Sequence, residues 1–386
     1  MTVAFESGMI LFLLLLVLSL IFSSKMKIHY TLILVVLGLC ISVGRYLVGV
    51  PPPSFGGEFI LGLVLPTLIF QAALSIDFNV LKEVKHRVFL LAIAGVVISA
   101  LVSTSLLVVS THLALLAALA FGVIISPTDA ASVIDTFKRL GVPKKLSTML
   151  EGEALFNDAT AIVLFSAVTS VMLSPVINTV RLATVFGGGV IIGACIAFMA
   201  VRIRRVIPNS IYQVALSLAI AYGAYATAEI LHFSGVVAVA TAGLIVGHNL
   251  RDVESKESTV FFWDVAGFMA NAVAFLFLGL VADIGMVAKY LPLIIICFMV
   301  VLVARFVSVY SILSITSITE EKTSPPWKVI TFLGGMRGAV SVALALSLPE
   351  GFVRNLIVTL IFGVAFMSLI IQGSILEVYV RRHRLD

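Results

Sequence analysis

Apolar stretches of about 17–25 residues, each closed by charged or Pro/Gly-rich breaks, recur from Met9 to Val380. An apolar helix of about 20 residues crosses a hydrocarbon core about 30 Å thick with every backbone group bonded internally, so a chain built this way folds across a bilayer. Composition agrees: 61% of the residues are apolar and 12% charged, against about 45–50% and about 25% in soluble domains. A nucleic-acid binder, a secreted disulfide scaffold and a cytosolic enzyme are excluded. Cys40, Cys195 and Cys297 stand alone in apolar runs, with no Cys-x-x-Cys pair and no nearby His cluster, and read as small packing residues. A cleavable signal peptide is not expected, because Glu6 precedes the first apolar run and Lys25 and Lys27 follow it.

The breaks delimit thirteen candidate spans, near 8–23, 29–49, 58–76, 88–110, 112–136, 146–173, 180–201, 209–231, 234–249, 259–282, 288–316, 326–349 and 353–380. With the N-terminus outside, the cytoplasmic loops hold Lys25, Lys27, Lys82, Lys85, Arg87, Lys138, Arg139, Lys144, Lys145, Arg202, Arg204, Arg205, Arg251, Lys256, Lys322, Lys328, Arg381, Arg382 and Arg384, and the outer loops only Arg45, Arg181, Lys289 and Arg354. That asymmetry sets an N-out, C-in orientation. The whole chain, 1–386, reads as one transmembrane transporter domain, and an odd span count suits two inverted repeats of six joined by a linking helix.

Charges that cannot reach water carry the functional signal, since one near the bilayer centre costs about 2.5–3.5 kcal/mol or more unless paired or facing a wet cavity. Asp129, Glu153 and Asp158 are the acids so placed, Arg305 and Arg337 the bases. At about 1.5 Å per helical residue Asp158 lies roughly 18 Å from the inner end of its span, Arg337 roughly 16 Å and Asp129 roughly 10 Å. Ser126-Pro127-Thr128-Asp129 and Gly334-Gly335-Met336-Arg337-Gly338 interrupt the fifth and twelfth spans. Proline removes a helical hydrogen bond and paired glycines weaken the helix, and broken helices in corresponding positions of two halves point to a transporter's ion site. Asp129 suits an exposed half-helix N-terminus and Arg337 a C-terminus. In Glu151-Gly152-Glu153-Ala154-Leu155-Phe156-Asn157-Asp158, Glu153 and Asn157 share a helix face while Asp158 points about 100° away. Glu151 lies nearly beneath Asp158, where it either lines a cytoplasmic funnel that attracts cations or is a solvated carboxylate at a helix start. Arg305 either pairs with an acid of the fifth or sixth span or packs helices. Gly189-x3-Gly193 and Gly243-x3-Gly247 mark close helix packing and are weak candidates for a dimer face. His29, His86, His112, His232, His248 and His383 fall at span ends and read as solvated.

Ser126-Pro127-Thr128-Asp129, Glu153 to Asp158, and Gly335-Met336-Arg337-Gly338-Ala339-Val340-Ser341, in this order and spacing, resemble the monovalent cation/proton antiporters, in particular the sodium/proton exchanger branch that includes the prokaryotic NhaP proteins. The resemblance spans the chain and implies an all-α NhaA-like fold of about thirteen transmembrane helices in two inverted repeats with broken crossing helices. It also implies a homodimer in a prokaryotic plasma membrane, no cofactor, no nucleic-acid partner, no enzyme activity, and an elevator-like movement of a core part (85–175 and 286–386) against a dimerisation part (1–80 and 180–285). The function implied is secondary exchange of Na+, also Li+, for H+ in pH homeostasis; exchange of K+ for H+, or proton-coupled carriage of another substrate, are the alternatives. By the same resemblance Asp158 is the ion-binding carboxylate, Asn157 the residue that hydrogen-bonds Thr128 across the broken helix, Asp129 the acid in that break, and Glu153 with Arg337 a buried pair. With Glu153 so engaged, Asp158 alone alternates between proton and cation, and a carboxylate that crosses only when neutralised gives electroneutral one-for-one exchange.

Two departures stand out. Ala154 replaces a hydroxyl common in the family, and Phe70-Gln71-Ala72-Ala73-Leu74 carries a neutral amide where many relatives have an acid. Neither the Thr-Val-Gly-Tyr-Gly filter of a channel nor the His-Glu-x-x-His motif of a metalloprotease occurs.

Overall fold

A computed structural model describes residues 2–26, 30–49, 60–111, 113–129, 133–134, 137, 140–173, 179–204, 209–249, 256–319 and 323–383. Lys27, His29, His112, Lys138, Arg139, Arg205, Arg251, Lys322 and Arg384 lie outside the described residues, so the orientation read from loop charges rests in part on positions the structure does not describe.

Among the described residues all regular structure is helical. In chain order the helices are α1 (Thr2–Met26), α2 (Tyr30–Val48), α3 (Leu65–Ser75, entered through a π turn at Ile60–Val64), α4 (Phe78–Phe89, continuing through a π turn at Leu90–Ala94 into Gly95–Thr111), α5 (Leu115–Ile125), α6 (Lys144–Leu173), α7 (Thr179–Arg204), α8 (Ser210–Ile230), α9 (Gly235–Asn249), α10 (Lys256–Val281), α11 (Ile284–Lys289), α12 (Leu291–Thr319), α13 (Pro325–Leu333), α14 (Ala339–Leu346) and α15 (Phe352–Met367, continuing through a π turn at Ser368–Gln372 into Gly373–Arg382). Seven stretches, from Tyr30–Val48 to Phe352–Arg382, are long and apolar enough to cross a bilayer, and four shorter apolar helices accompany them. The chain is a multi-pass integral membrane protein.

The helices pack in two groups. In one, α2 lies on α10, α3 on α9 and α10, and α9 on α7 and α8. In the other, α4 lies on α5, α6 and α12, and α15 on α12 and α14. The groups meet where α6 touches α3 and α9, and where α14 touches α10. Asp77 fixes one edge of the second group: its side chain caps α4 by accepting the Asn79 N–H at 3.0 Å and holds Lys144, at the start of α6, at 2.8 Å.

Close backbone contact holds the first group together. A Cβ on Gly279 of α10 would sit 2.2 Å from the Val35 carbonyl oxygen of α2, and one on Gly38 of α2 would sit 2.4 Å from the Leu276 carbonyl oxygen. Small residues let membrane helices approach and gain dispersion contacts that lipid does not give. The two small-residue pairs singled out in the sequence are used inside the chain: Gly189 and Gly193 receive Ser234 and Ala238 of the α9 segment, and Gly243 and Gly247 receive Phe70, Ala73 and Leu74 of α3. They are therefore not free to form a face between subunits. Gly279→Val is expected to lower the melting temperature in detergent by an amount matching an overpacking cost of about 1–3 kcal/mol or more. Gly223→Ala, where nothing lies within 4 Å of the added atom, is expected to leave it unchanged.

Candidate ion site

The site forms where two broken helices cross. α5 stops at Ile125, Ser126 turns its hydroxyl back to the Gly122 carbonyl at 2.5 Å, and Pro127 prevents a further helical turn. α13 stops at Leu333 and α14 begins at Ala339, with the intervening glycines outside any helix. The extended pieces bind each other, the Asp129 N–H donating to the Met336 carbonyl at 2.8 Å. A Cβ on Gly338 would fall 2.5 Å from that of Asp129, so only glycine lets the two chains cross this closely.

Each freed backbone group and half-helix end meets a partner. The Arg337 guanidinium donates to the carbonyls of Ser126 at 2.7 Å and Pro127 at 3.1 Å, placing a full positive charge at the negative end of α5. The Arg337 N–H donates to the Ser368 hydroxyl at 3.0 Å, on the π turn of α15. Asn157 bridges the break in the fifth span: its Nδ2 donates to Thr128 Oγ1 at 2.8 Å and its Oδ1 accepts the Thr128 N–H at 3.4 Å. Asp129 lies against Gly338, the residue that opens α14, near the positive end of that half-helix.

Glu153 does not take Arg337 as its partner. Its carboxylate is held in a two-pronged pair by Arg305 of α12, through Nη1 to Oε1 and through Nη2 to Oε2 at 3.1 Å, and Nη2 also donates to the Thr331 carbonyl at 2.9 Å. Glu153 is 1% exposed and Arg305 4%. The expected pairing treated the twelfth span as one continuous helix. The break instead sends Arg337 towards the end of α5 and leaves Gly335 bare for Arg305 to cross: a Cβ there would be 2.5 Å from Arg305 Nε. Arg305 thus resolves to an ion-pairing residue of the sixth span.

Asp158 projects from the other side of α6 into a cavity of about 120 Å³ between the two helix groups. Among the described residues nothing hydrogen-bonds or ion-pairs with its carboxylate, which is half-buried. Thr128, Asp129, Glu151, Ala154 and Ser341 line the same cavity from the second group, and Gln71 and Asn271 from the first. Ser341 and Asn271 are ligand candidates beyond the residues expected from sequence. The Ser341 hydroxyl, on a residue 1% exposed, has no hydrogen-bond partner. Asn271 is 5% exposed and donates its Nδ2 to the Tyr30 hydroxyl at 3.2 Å. A lone amide in the apolar run Phe268-Met269-Ala270-Asn271-Ala272-Val273 was the signal available; a search for buried charges passes over a neutral group. The arrangement can strip a small cation of much of its water and offer it one carboxylate, hydroxyls and carbonyl oxygens, all hard donors suited to alkali ions.

Comparison with known proteins agrees with this geometry. The family described as the transmembrane sodium/hydrogen exchanger matches residues 10–382. The Na+/H+ antiporter ApNhaP of Aphanothece halophytica is 35% identical over 369 residues, 92% of this chain and 70% of that protein. The Na+/H+ antiporter NhaP of Pseudomonas aeruginosa is 34% identical over 349 residues, 84% of this chain and 81% of that protein. The solved structure of the sodium proton antiporter MjNhaP1 of Methanocaldococcus jannaschii has the same fold, with a TM-score of 0.79 over 98% of this chain and 99% of that one at 24% identity. These relatives are transporters and not enzymes. Matched by the family model over nearly its whole length, the chain belongs to the transmembrane sodium/hydrogen exchanger family.

Proposed function

We propose that this protein exchanges Na+ for H+ across a prokaryotic plasma membrane, one ion for one proton. The observation that carries this reading is the unpaired Asp158 carboxylate in the cavity, beside a Glu153 already neutralised by Arg305. A single free carboxylate can hold a proton or a cation but not both, and crossing with neither would move an uncompensated charge through low dielectric. Asp129 has its charge balanced by the start of α14 and stays in place. Thr128 and Ser341 supply hydroxyl oxygens to the bound ion, so that the oxygen absent at Ala154 is provided from α14. The relatives' assignment to Na+ supports sodium as the substrate and does not favour K+. A cavity of about 120 Å³ also suits a small ion, being well below the about 300–1,000 Å³ of ordinary organic-ligand pockets.

The helix grouping supports a division of labour in this reading. α4–α6 and α12–α15 (with 85–175 and 286–386 as their bounds) carry the ion, and the group containing α2, α3 and α7–α10 (1–80 and 180–285) forms the stationary part and the homodimer contact. Thirteen spans in two inverted repeats, the N-terminus outside and the C-terminus in the cytoplasm, bring Glu151 to the cytoplasmic side of the cavity. The test is internal-pH fluorescence in proteoliposomes given Na+, Li+ or K+ outside in turn. Proton efflux driven by Na+ and Li+ is expected; no proton movement with any of the three, in folded protein, contradicts the reading.

A further inference from the structure

The wall of the cavity opposite Asp158 is built from α3 and α10. On α10, Asp264, Gly267 and Asn271 follow one another at i, i+3 and i+7 and so share one face. Asn271 is buried and lines the cavity, whereas Asp264, about 12 Å along the helix from Lys256, is exposed. Between them lies Gln71 of α3, a cavity-lining residue whose Nε2 donates to Asp264 Oδ1 at 3.0 Å. The contact is made possible by Gly267: a Cβ there would be 2.9 Å from Gln71 Cγ, so the glycine lets the glutamine side chain lie flat across α10 and reach the carboxylate one turn away.

A carboxylate inside a membrane helix is costly unless it does something there. Among the described residues Asp264 has no cation opposite it, and its hydrogen-bond partner is the cavity's own amide. Donating Nε2 to Asp264 leaves the Gln71 carbonyl oxygen as the hard donor available to an ion, and the carboxylate polarises that amide and adds a negative potential to a narrow low-dielectric cleft, which raises the local cation concentration.

Resting on the exchanger reading, we propose that Asp264 is a positioning residue for the transported cation, gathering it at the stationary wall of the cavity and orienting Gln71 to pass it to Asp158. The geometry separates two roles. Asp158 binds the ion and must be neutralised to cross, whereas Asp264 belongs to the helix group that does not move, and its charge never has to traverse the membrane.

The experiment measures Na+-driven proton flux against Na+ concentration in proteoliposomes of wild type, Asp264→Asn, Asp264→Glu and the double variant Gln71→Glu with Asp264→Asn. In the double variant the charge shifts onto α3 and the hydrogen bond is kept in reverse. Loss of a gathering charge is expected to raise the apparent KM for Na+ about three- to tenfold in Asp264→Asn while maximal flux stays within about twofold, and the double variant to return KM to within about twofold of wild type. A merely structural residue would lower maximal flux or folded yield and would not be rescued by moving its charge. Unchanged KM in Asp264→Asn, or a folded double variant no better than the single one, overturns the proposal. Should Asp264→Asn not fold, Asp264→Glu and the double variant decide, because each keeps the charge and must keep the Na+ affinity. Failure of the exchanger reading shows itself separately, as absence of Na+-driven flux in the wild type.

Discussion

Asp158→Asn is expected to reduce cation-driven proton flux to that of empty liposomes while the protein remains folded and monodisperse. The substitution keeps the shape of the side chain and removes the group that ionises. Because no protein hydrogen bond or ion pair engages the Asp158 carboxylate among the described residues, its loss takes away no structural contact. An amide at this position neither releases a proton nor neutralises a cation, so both half-reactions fail together. Asp158→Glu keeps the charge but moves it by about one bond length in a site where Asn157 and Thr128 are fixed on each other, and is expected to retain reduced flux. Proteoliposome pH fluorescence with size-exclusion profiles of the same samples checks both statements; full flux in Asp158→Asn would remove this carboxylate from the mechanism.

The second large effect concerns the buried pair. Removing one partner of a buried ion pair leaves the other charge uncompensated, at about 3–5 kcal/mol, whereas replacing both by apolar side chains is often neutral. Arg305→Leu alone is therefore expected to depress folded yield and melting temperature strongly, and Glu153→Leu added to it to recover most of the loss. The same Glu153→Leu is not expected to rescue Arg337→Leu, because the Arg337 guanidinium is spent on the Ser126 and Pro127 carbonyls at the end of α5. Thermal melts of the four single and double variants form two cycles that separate the arginines. Rescue of Arg337→Leu and not of Arg305→Leu would reverse the assignment of the pair.

How much of this was legible beforehand differs from residue to residue. Long apolar runs with charged ends located helices such as α6, α8 and α10 to within a few residues, because span length and end charge are local properties of the sequence. The breaks at Pro127 and at Gly334–Gly338 were equally plain, since proline and glycine act on their own backbone. What the chain does at a break is not local. Arg337 and Glu153 have similar depths on paper, but the direction taken by residues 334–338 is set by the crossing with Thr128 and Asp129, and that crossing turns one arginine away and opens a path over Gly335 for the other. Gln71 was visible as a neutral amide in an apolar segment; its link to Asp264 was not, because 193 positions separate them and an acid near the start of a span resembles one that simply reaches water. Ser341 shows the same limit, its hydroxyl gaining significance only once the surrounding helices leave it without a partner.

The central claim is that one carboxylate, neutralised in turn by a cation and by a proton, does all the charge-bearing work. Its most direct test is the voltage dependence of Na+-driven proton flux in proteoliposomes clamped with a K+ gradient and valinomycin, the K+ concentrations being balanced by an inert cation. The expected result is a flux that does not change when the membrane potential is set positive, zero or negative inside. A flux that rises steeply with one sign of potential would mean that net charge crosses in each cycle, and that a second group, with Asp129 the first to examine, carries protons alongside Asp158.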